Sequence, residues 1–576
     1  GRLSYAADRF ELLEAQTGRT VYNGAVTLGM SADQAEMLRP EANHTRTDCY
    51  YLDFHDFRQP GEYRLFVPGI GVSRPFAVAE DVWLTAFRTS MHGLLCHRSG
   101  IRLGPPVTDY ARPRPFHPED GVKVFRLDVT MLDGESDAVH GALRRLLGPA
   151  LEASALPTHP NAWGGYMDAG DWDRRSGHLR VSYLQLELCA MFPEFVARTK
   201  LALPEGEAAN GLPDLLDEAL WNVDFYRRLQ EPDGGVGGGV ESTAHPRPGE
   251  ASWQESLLVG AFAPDPRSSY LYAATAAKAA GLLARYDPQR AVGYRTSAEA
   301  AWRWAEANGA RIVEEVRGRS GRVEGEAADF LAPERALAAA ELCRLTAEPA
   351  FGEAFKASCA LERGGDPGRQ LDALFAYATL DGGLADPTLQ AKALDWLKAQ
   401  GDQALLISRR NSFNLAPRVS QLPMLGFVGY FTTPETVLGP LLPRLHFLTG
   451  DEQWLAGALA AAQYTAGANP VNITMTTGLG HDFPRAVLHV DSLRQGLPAP
   501  SGITIYGPHD PTRIPDWVKT WVVGPSMAPP ADQWPAAEFH VDVSGWPEMS
   551  EYTVHQSIGP TGYHWGYLAA RREVSP

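Results

Sequence analysis

The chain has 576 residues, 44% hydrophobic and 21% charged, a globular composition that excludes long disordered tracts. That length also excludes a single small core and calls for several domains, or one large barrel with a smaller companion. The formal charge of −17, from 52 Lys and Arg against 69 Asp and Glu, argues against nucleic acid, whose binding draws on neutralised phosphates, and favours a neutral partner.

Residues 1 to about 80 read as β structure: YYLDFHDF, EYRLFV and RPFAV alternate in character between QPG and PGIGV turns, as in a small sandwich. From Trp83 the period becomes helical, so a domain boundary is expected near residues 78–82. Helical patterns then recur at 83–98, 178–195, 212–229, 268–285, 294–307, 334–346, 350–361, 370–379, 387–400, 437–449, 451–466 and 551–571. Consecutive helical hairpins in that number imply a closed double ring. The segments 100–160, 231–266, 401–436 and 468–550 read as long loops, where a rigid scaffold usually keeps its binding residues. Five scattered cysteines with no C-x-x-C indicate neither a disulfide framework nor a redox motif. No apolar run is long enough to span a membrane, and GRLSYAADRFELLEA lacks a signal-peptide pattern.

The most informative string is Trp163-Gly164-Gly165-Tyr166-Met167-Asp168-Ala169-Gly170-Asp171-Trp172-Asp173-Arg174-Arg175. Its D-A-G-D is open to two readings: an ordinary turn, since Asp and Gly favour turns, or a carboxylate pair holding a water against a sugar. Other strings follow in order: LPDLLDEALWNVDFYRRLQEPDGGV (212–236), DPRSSYLYAATAAKAA (265–280), AAAELCRLT (338–346), YTAGANPVNITMTTGLG (464–480) and SEYTVHQS (550–557).

Together these strings resemble glycoside hydrolase family 9, the inverting cellulase family. The resemblance implies an immunoglobulin-like β-sandwich over 1–80 followed by an (α/α)6 barrel over 81–576. It implies Asp171 as catalytic base, Asp168 as its helper in holding the attacking water, and Glu551 as acid, because Ser550-Glu551-Tyr552-Thr553-Val554-His555-Gln556-Ser557 matches N-E-x-A-x-x-x-N with Ser at both Asn positions. Inversion asks for such a pair independently: a protonated acid and a carboxylate base about 6.5–9.5 Å apart, with room for a water. Trp546, Pro547 and Tyr552 are expected to wall the acid, and Glu548 is its rival.

The family's histidine signature is degenerate here. His489 fits it only with one inserted residue, after which Asp491 replaces the expected arginine and Arg485 is left to compensate. Trp163, Tyr166, Trp172 and Trp253 are the preferred sugar platforms, since pyranose faces stack on flat rings. The family's structural zinc is expected to be lost, because Ser99, Pro113 and Phe116 stand at ligand positions and only His117 remains. Calcium is possible but not required, with Pro333-Glu334-Arg335 replacing one ligand segment. The function expected is endo-acting hydrolysis of β-1,4-glucan by a monomer, secreted in preference to cytoplasmic. The alternatives are an exo-acting β-glucosidase or glucosaminidase and, more remotely, a non-catalytic carbohydrate-binding protein.

Overall fold

A computed structural model describes residues 7–36, 43–134, 136–147, 157–169, 174–414, 440–524 and 527–571. Six strands come first: β1 (Arg9–Glu14), β2 (Thr20–Met30), β3 (Cys49–Leu52), β4 (Gly61–Val67), β5 (Gly71–Val72) and β6 (Phe76–Val78). All pair antiparallel in the order β3-β2-β1-β4-β5, with β6 also on β4. The alternation expected of a half-buried strand is clearest in β1, where Phe10 and Leu12 are buried while Arg9 and Glu11 face outward.

The first helix, Val82–Cys96, opens a helix-rich body. Six strongly buried helices, Leu179–Met191, Pro266–Leu283, Ala327–Thr346, Leu371–Ala378, Leu441–Thr449 and Gly559–Arg571, form the inner ring of a barrel. Val82–Cys96, Asp214–Arg228, Pro288–Ser320, Pro349–Ser358, Pro387–Ser408 and Glu452–Thr465 pack outside them. The first helix packs against Gly559–Arg571, so the ring closes between its two chain ends. Several starts are written in the sequence as Asp-Pro. Asp265, Asp287 and Asp386 each accept a backbone N–H of the first turn, and the following Pro has no N–H to leave unpaired.

Several of the expected loops carry structure, and two of them build a sheet. β7 (Val124–Thr130), β8 (Arg174–Arg175), β9 (Gly239–Ser242) and β10 (Val259–Ala263) form a sheet in the order β7-β10-β9-β8, parallel at β7–β10 and antiparallel elsewhere. Phe125, Leu127 and Val129, on one face of β7, pack with Phe262 and with Val139, Ala142 and Leu143 of the Ser136–Leu147 helix. Because β8 begins three residues after D-A-G-D, this small α/β layer borders the candidate site.

Candidate active site

The Tyr166–Asp168 segment is held from several sides. Gly164 and Gly165 adopt positive φ (96° and 77°), and a side chain on Gly164 would strike the Arg228 guanidinium, so the W-G-G-Y turn needs glycine there. Met167 N–H donates to the His97 carbonyl at 2.9 Å, and the Asp168 carbonyl accepts the Val554 N–H at 3.1 Å. That last bond ties D-A-G-D to the segment beginning at Glu551, close to 400 residues away.

Asp168 is nearly buried, and two imidazoles converge on its Oδ1: His178 Nε2 at 3.1 Å and His555 Nδ1 at 3.2 Å. Burial pushes this carboxyl up, but the two imidazoles, once acid protonates them, outweigh it and hold Asp168 well below the usual carboxylate range. His178 Nδ1 lies 3.2 Å from the Tyr166 carbonyl; a carbonyl only accepts, so the proton sits on Nδ1. Burial lowers His178 despite Asp168 beside it. Its Nε2 is enclosed and lacks an aligned hydrogen bond. Asp168, His178 and His555 are the group among the described residues whose ligand atoms, all within 4.8 Å of one another, suit a metal ion.

Glu551 is half-buried, its N–H donating to the Pro547 carbonyl and its carbonyl accepting the Tyr506 N–H, both at 2.9 Å. Trp546 and Tyr552, near it in sequence, are fully enclosed. Tyr506 lies within electrostatic reach of both Asp168 and Glu551, and its hydroxyl donates to Gln556 Oε1 at 2.7 Å. Buried and facing two carboxylates, that hydroxyl is driven well above the usual phenol range. Asp171 and Trp172 lie outside the described residues. The rival Glu548 is half-buried, with Oε2 enclosed.

The other expected binding residues separate. Trp163 is half-buried between Arg228, whose guanidinium sits 4.0 Å from its ring centre, and His117 at 4.5 Å. Trp253 is half-buried beside Ser252. Arg485 is exposed, its guanidinium 3.8 Å over Phe483. Tyr166 differs from expectation: its ring is fully enclosed and its hydroxyl donates to Glu218 Oε1 at 2.7 Å, leaving no face for a sugar. His489 differs likewise. It is fully buried, caps the Val490–Gln495 turn by accepting the Ser492 N–H on Nδ1, and packs against His97, Tyr110 and Tyr552. Asp491 spends both oxygens on Ser252, accepting its N–H and Oγ–H at 2.6 Å each, so it faces inward and not toward a substrate.

The residues at the family zinc positions do not fit a metal. His117 uses Nδ1 to accept the Glu119 N–H, and Ser99, Pro113 and Phe116 offer no thiolate or imidazole. At Pro333-Glu334-Arg335, the replaced calcium segment on the Ala327–Thr346 helix, Glu334 pairs with Arg267 of Pro266–Leu283 and Arg335 with Glu306 of Pro288–Ser320. Sequence reasoning missed His178, His555, Tyr506 and His97. His555 stands inside SEYTVHQS, and His178 seven residues after Asp171, so proximity to the motifs was the available signal.

The sequence profile of Glycosyl hydrolase family 9 matches residues 98–544, including D-A-G-D and ending before Glu551. Endoglucanase D of Acetivibrio thermocellus is 23% identical over 466 residues, covering 77% of this chain and 66% of its own length. Endoglucanase C of Cellulomonas fimi is 26% identical over 547 residues, covering 88% of this chain and 45% of its own. The chain thus spans less than two thirds of the length of these relatives. The crystal structure of the GH family 9 endoglucanase J30 superposes with a TM-score of 0.76 at 20% identity, covering 98% of this chain and 96% of that one, and its fold is the one seen here. No described helix is long and apolar enough to cross a membrane. With the profile matched across most of the chain and the double ring of helices in place, the protein belongs to glycosyl hydrolase family 9.

Proposed function

We propose that this chain is an inverting glycoside hydrolase that cleaves β-1,4-glucosidic bonds within cellulose or a related β-glucan. The observation that carries this reading is the meeting of the two family motifs: Val554, three residues after Glu551, is hydrogen-bonded to Asp168. The named relatives are endoglucanases, which favours internal cleavage. In this reading Glu551 protonates the glycosidic oxygen as the bond breaks, and Asp171 removes a proton from the water attacking the opposite face of the sugar. Asp168 orients that water. A carboxylate held as low as Asp168 is a poor proton acceptor near neutrality, which supports assigning the base role to Asp171. Trp163, Trp172 and Trp253 remain the proposed sugar contacts, with Arg485 on the exposed rim. An extracellular location and a monomeric state accompany the proposal.

The test is product analysis on cellohexaose with the Asp171→Ala and Glu551→Gln variants. A spread of shorter oligomers of inverted anomeric configuration is expected from the parent. Each variant is expected to lower kcat by about 10²–10⁴-fold with little change in thermal midpoint, because each removes a proton-transfer partner. Glucose alone from the first time point would replace endo action with exo action, and near-normal turnover in either variant would refute that residue's role.

A further inference from the structure

We infer that Asp168, His178 and His555 form a binding site for a zinc-class divalent ion, and that an ion bound there shuts hydrolysis off. Three observations meet. Around a tetrahedral ion with ligand distances of about 2.0–2.2 Å, neighbouring donor atoms stand about 3.3–3.6 Å apart; the Asp168 oxygen lies 3.1 and 3.2 Å from the two imidazole nitrogens, so a small outward shift seats the ion. His178 donates its Nδ1 proton to the Tyr166 carbonyl, which turns the bare Nε2 lone pair toward the carboxylate. Such backbone anchoring of the second nitrogen is how metal-ligating histidines are oriented. Finally, that Nε2 is wholly enclosed and lacks an aligned hydrogen bond, so two lone pairs face each other at 3.1 Å until a cation comes between them.

The surroundings permit a cation. The positive charge of Arg175 reaches His178 but is paired with Glu241 at 3.3 Å. His555 keeps about a quarter of its side chain exposed and gives the ion its entry. Two imidazoles and one carboxylate are a borderline-soft donor set, suited to zinc and its neighbours and not to calcium or magnesium, which prefer oxygen alone. The site is separate from the family zinc positions around His117. Inhibition follows from the proposed role of Asp168: an ion on Oδ1 removes the acceptor that orients the attacking water. The inhibitory half rests on that role, whereas the binding half does not.

The experiment is a zinc titration of the metal-stripped full chain in competition with a chromophoric chelator, repeated for His555→Ala and Asp168→Asn. One zinc equivalent is expected in the parent, with affinity falling at least ~100-fold in His555→Ala, beyond the range seen when only an outer partner is lost. Because His555 is partly exposed, this variant is expected to keep its thermal midpoint. Cellohexaose hydrolysis by the parent should fall with the same zinc midpoint and recover on chelation. Absence of a stoichiometric zinc, or equal affinity in His555→Ala, overturns the site. Zinc held as expected while hydrolysis continues unaffected overturns the inhibitory half, and a chain with no hydrolysis at all fails the proposed function while the titration still decides the site.

Discussion

His97 joins the two candidate-site segments through a single residue. Its carbonyl accepts the Met167 N–H, one position before Asp168, and its Nε2 lies 2.8 Å from the hydroxyl of Tyr552, one position after Glu551. Nδ1 lies 2.6 Å from the Gly93 carbonyl and must therefore carry the proton, which leaves Nε2 as the acceptor. Burial pulls the His97 imidazole down to about 4, so this arrangement persists across the neutral range. Tyr552→Phe strands that nitrogen in the core, and a loss of about 1–3 kcal/mol is expected in urea unfolding. A midpoint equal to the parent's would show that water replaces the hydroxyl. D-A-G-D stands out in the sequence because carboxylates cluster there with glycine and aromatics, and Glu551 because its segment resembles a family signature. His97 was not, because its partners lie far along the chain, and in LLCHR it reads only as the end of a helix. Tyr166 and His489 show the reverse: residue type announced a sugar contact, whereas burial, which depends on the whole fold, made them structural.

At the scale of elements, helices were legible because each carries its own period and often its own Asp-Pro start. The sheet beside the site was not. β8 has two residues, β9 and β10 are short and interrupted by glycine, and β7 finds its partner β10 more than 120 residues later. Such strands are defined by pairing, and pairing is invisible to a local pattern. The N-terminal strands were legible as β, and their contacts with the body now give them work. Glu36, nearly buried, accepts the Ser412 N–H at 3.0 Å; the His44 carbonyl accepts the Ala537 N–H at 3.2 Å; Arg74 pairs with Asp482 at 3.1 Å. Deleting residues 1–80 should therefore lower the thermal midpoint of the remaining body, through loss of these bonds and exposure of the covered face. An unchanged midpoint would show that the domain is carried without bracing anything.

Across the whole molecule, the six inner helices share buried polar contacts near the centre of the ring. Arg444 pairs with Glu187 at 2.8 Å and with Asp372 at 2.7 Å, and Tyr563 donates to Glu187. Lys278 pairs with Glu341 at 2.9 Å, and Tyr183 donates to the same carboxylate. Burial would raise Glu341, but Lys278 and Arg344 prevail and hold it at about 2, against 4.5 for a free glutamate. A carboxylate depressed on folding contributes stability above its unfolded value, which is lost as pH falls toward the folded one. His97 acts at higher pH. Depressed to about 4, it stays neutral while the unfolded imidazole takes up protons below 6.5, so its effect erodes stability from pH 6.5 down to 4. The denaturation midpoint is therefore expected to fall in two overlapping stages, first between pH 6.5 and 4 and then from about 4.5 toward 2. A midpoint constant from pH 7 to 3 would contradict both assignments.

Closure of the ring between the first helix and the last has a consequence for synthesis. The Gly559–Arg571 helix leaves the ribosome almost 500 residues after the helix it must embrace, and contacts of such separation form only after the intervening chain has been gathered. The proposed acid, Glu551, emerges just ahead of that helix. A nascent chain therefore gains the seal of its barrel and the proposed acid in the same stretch of translation, and no fragment ending before that stretch carries both.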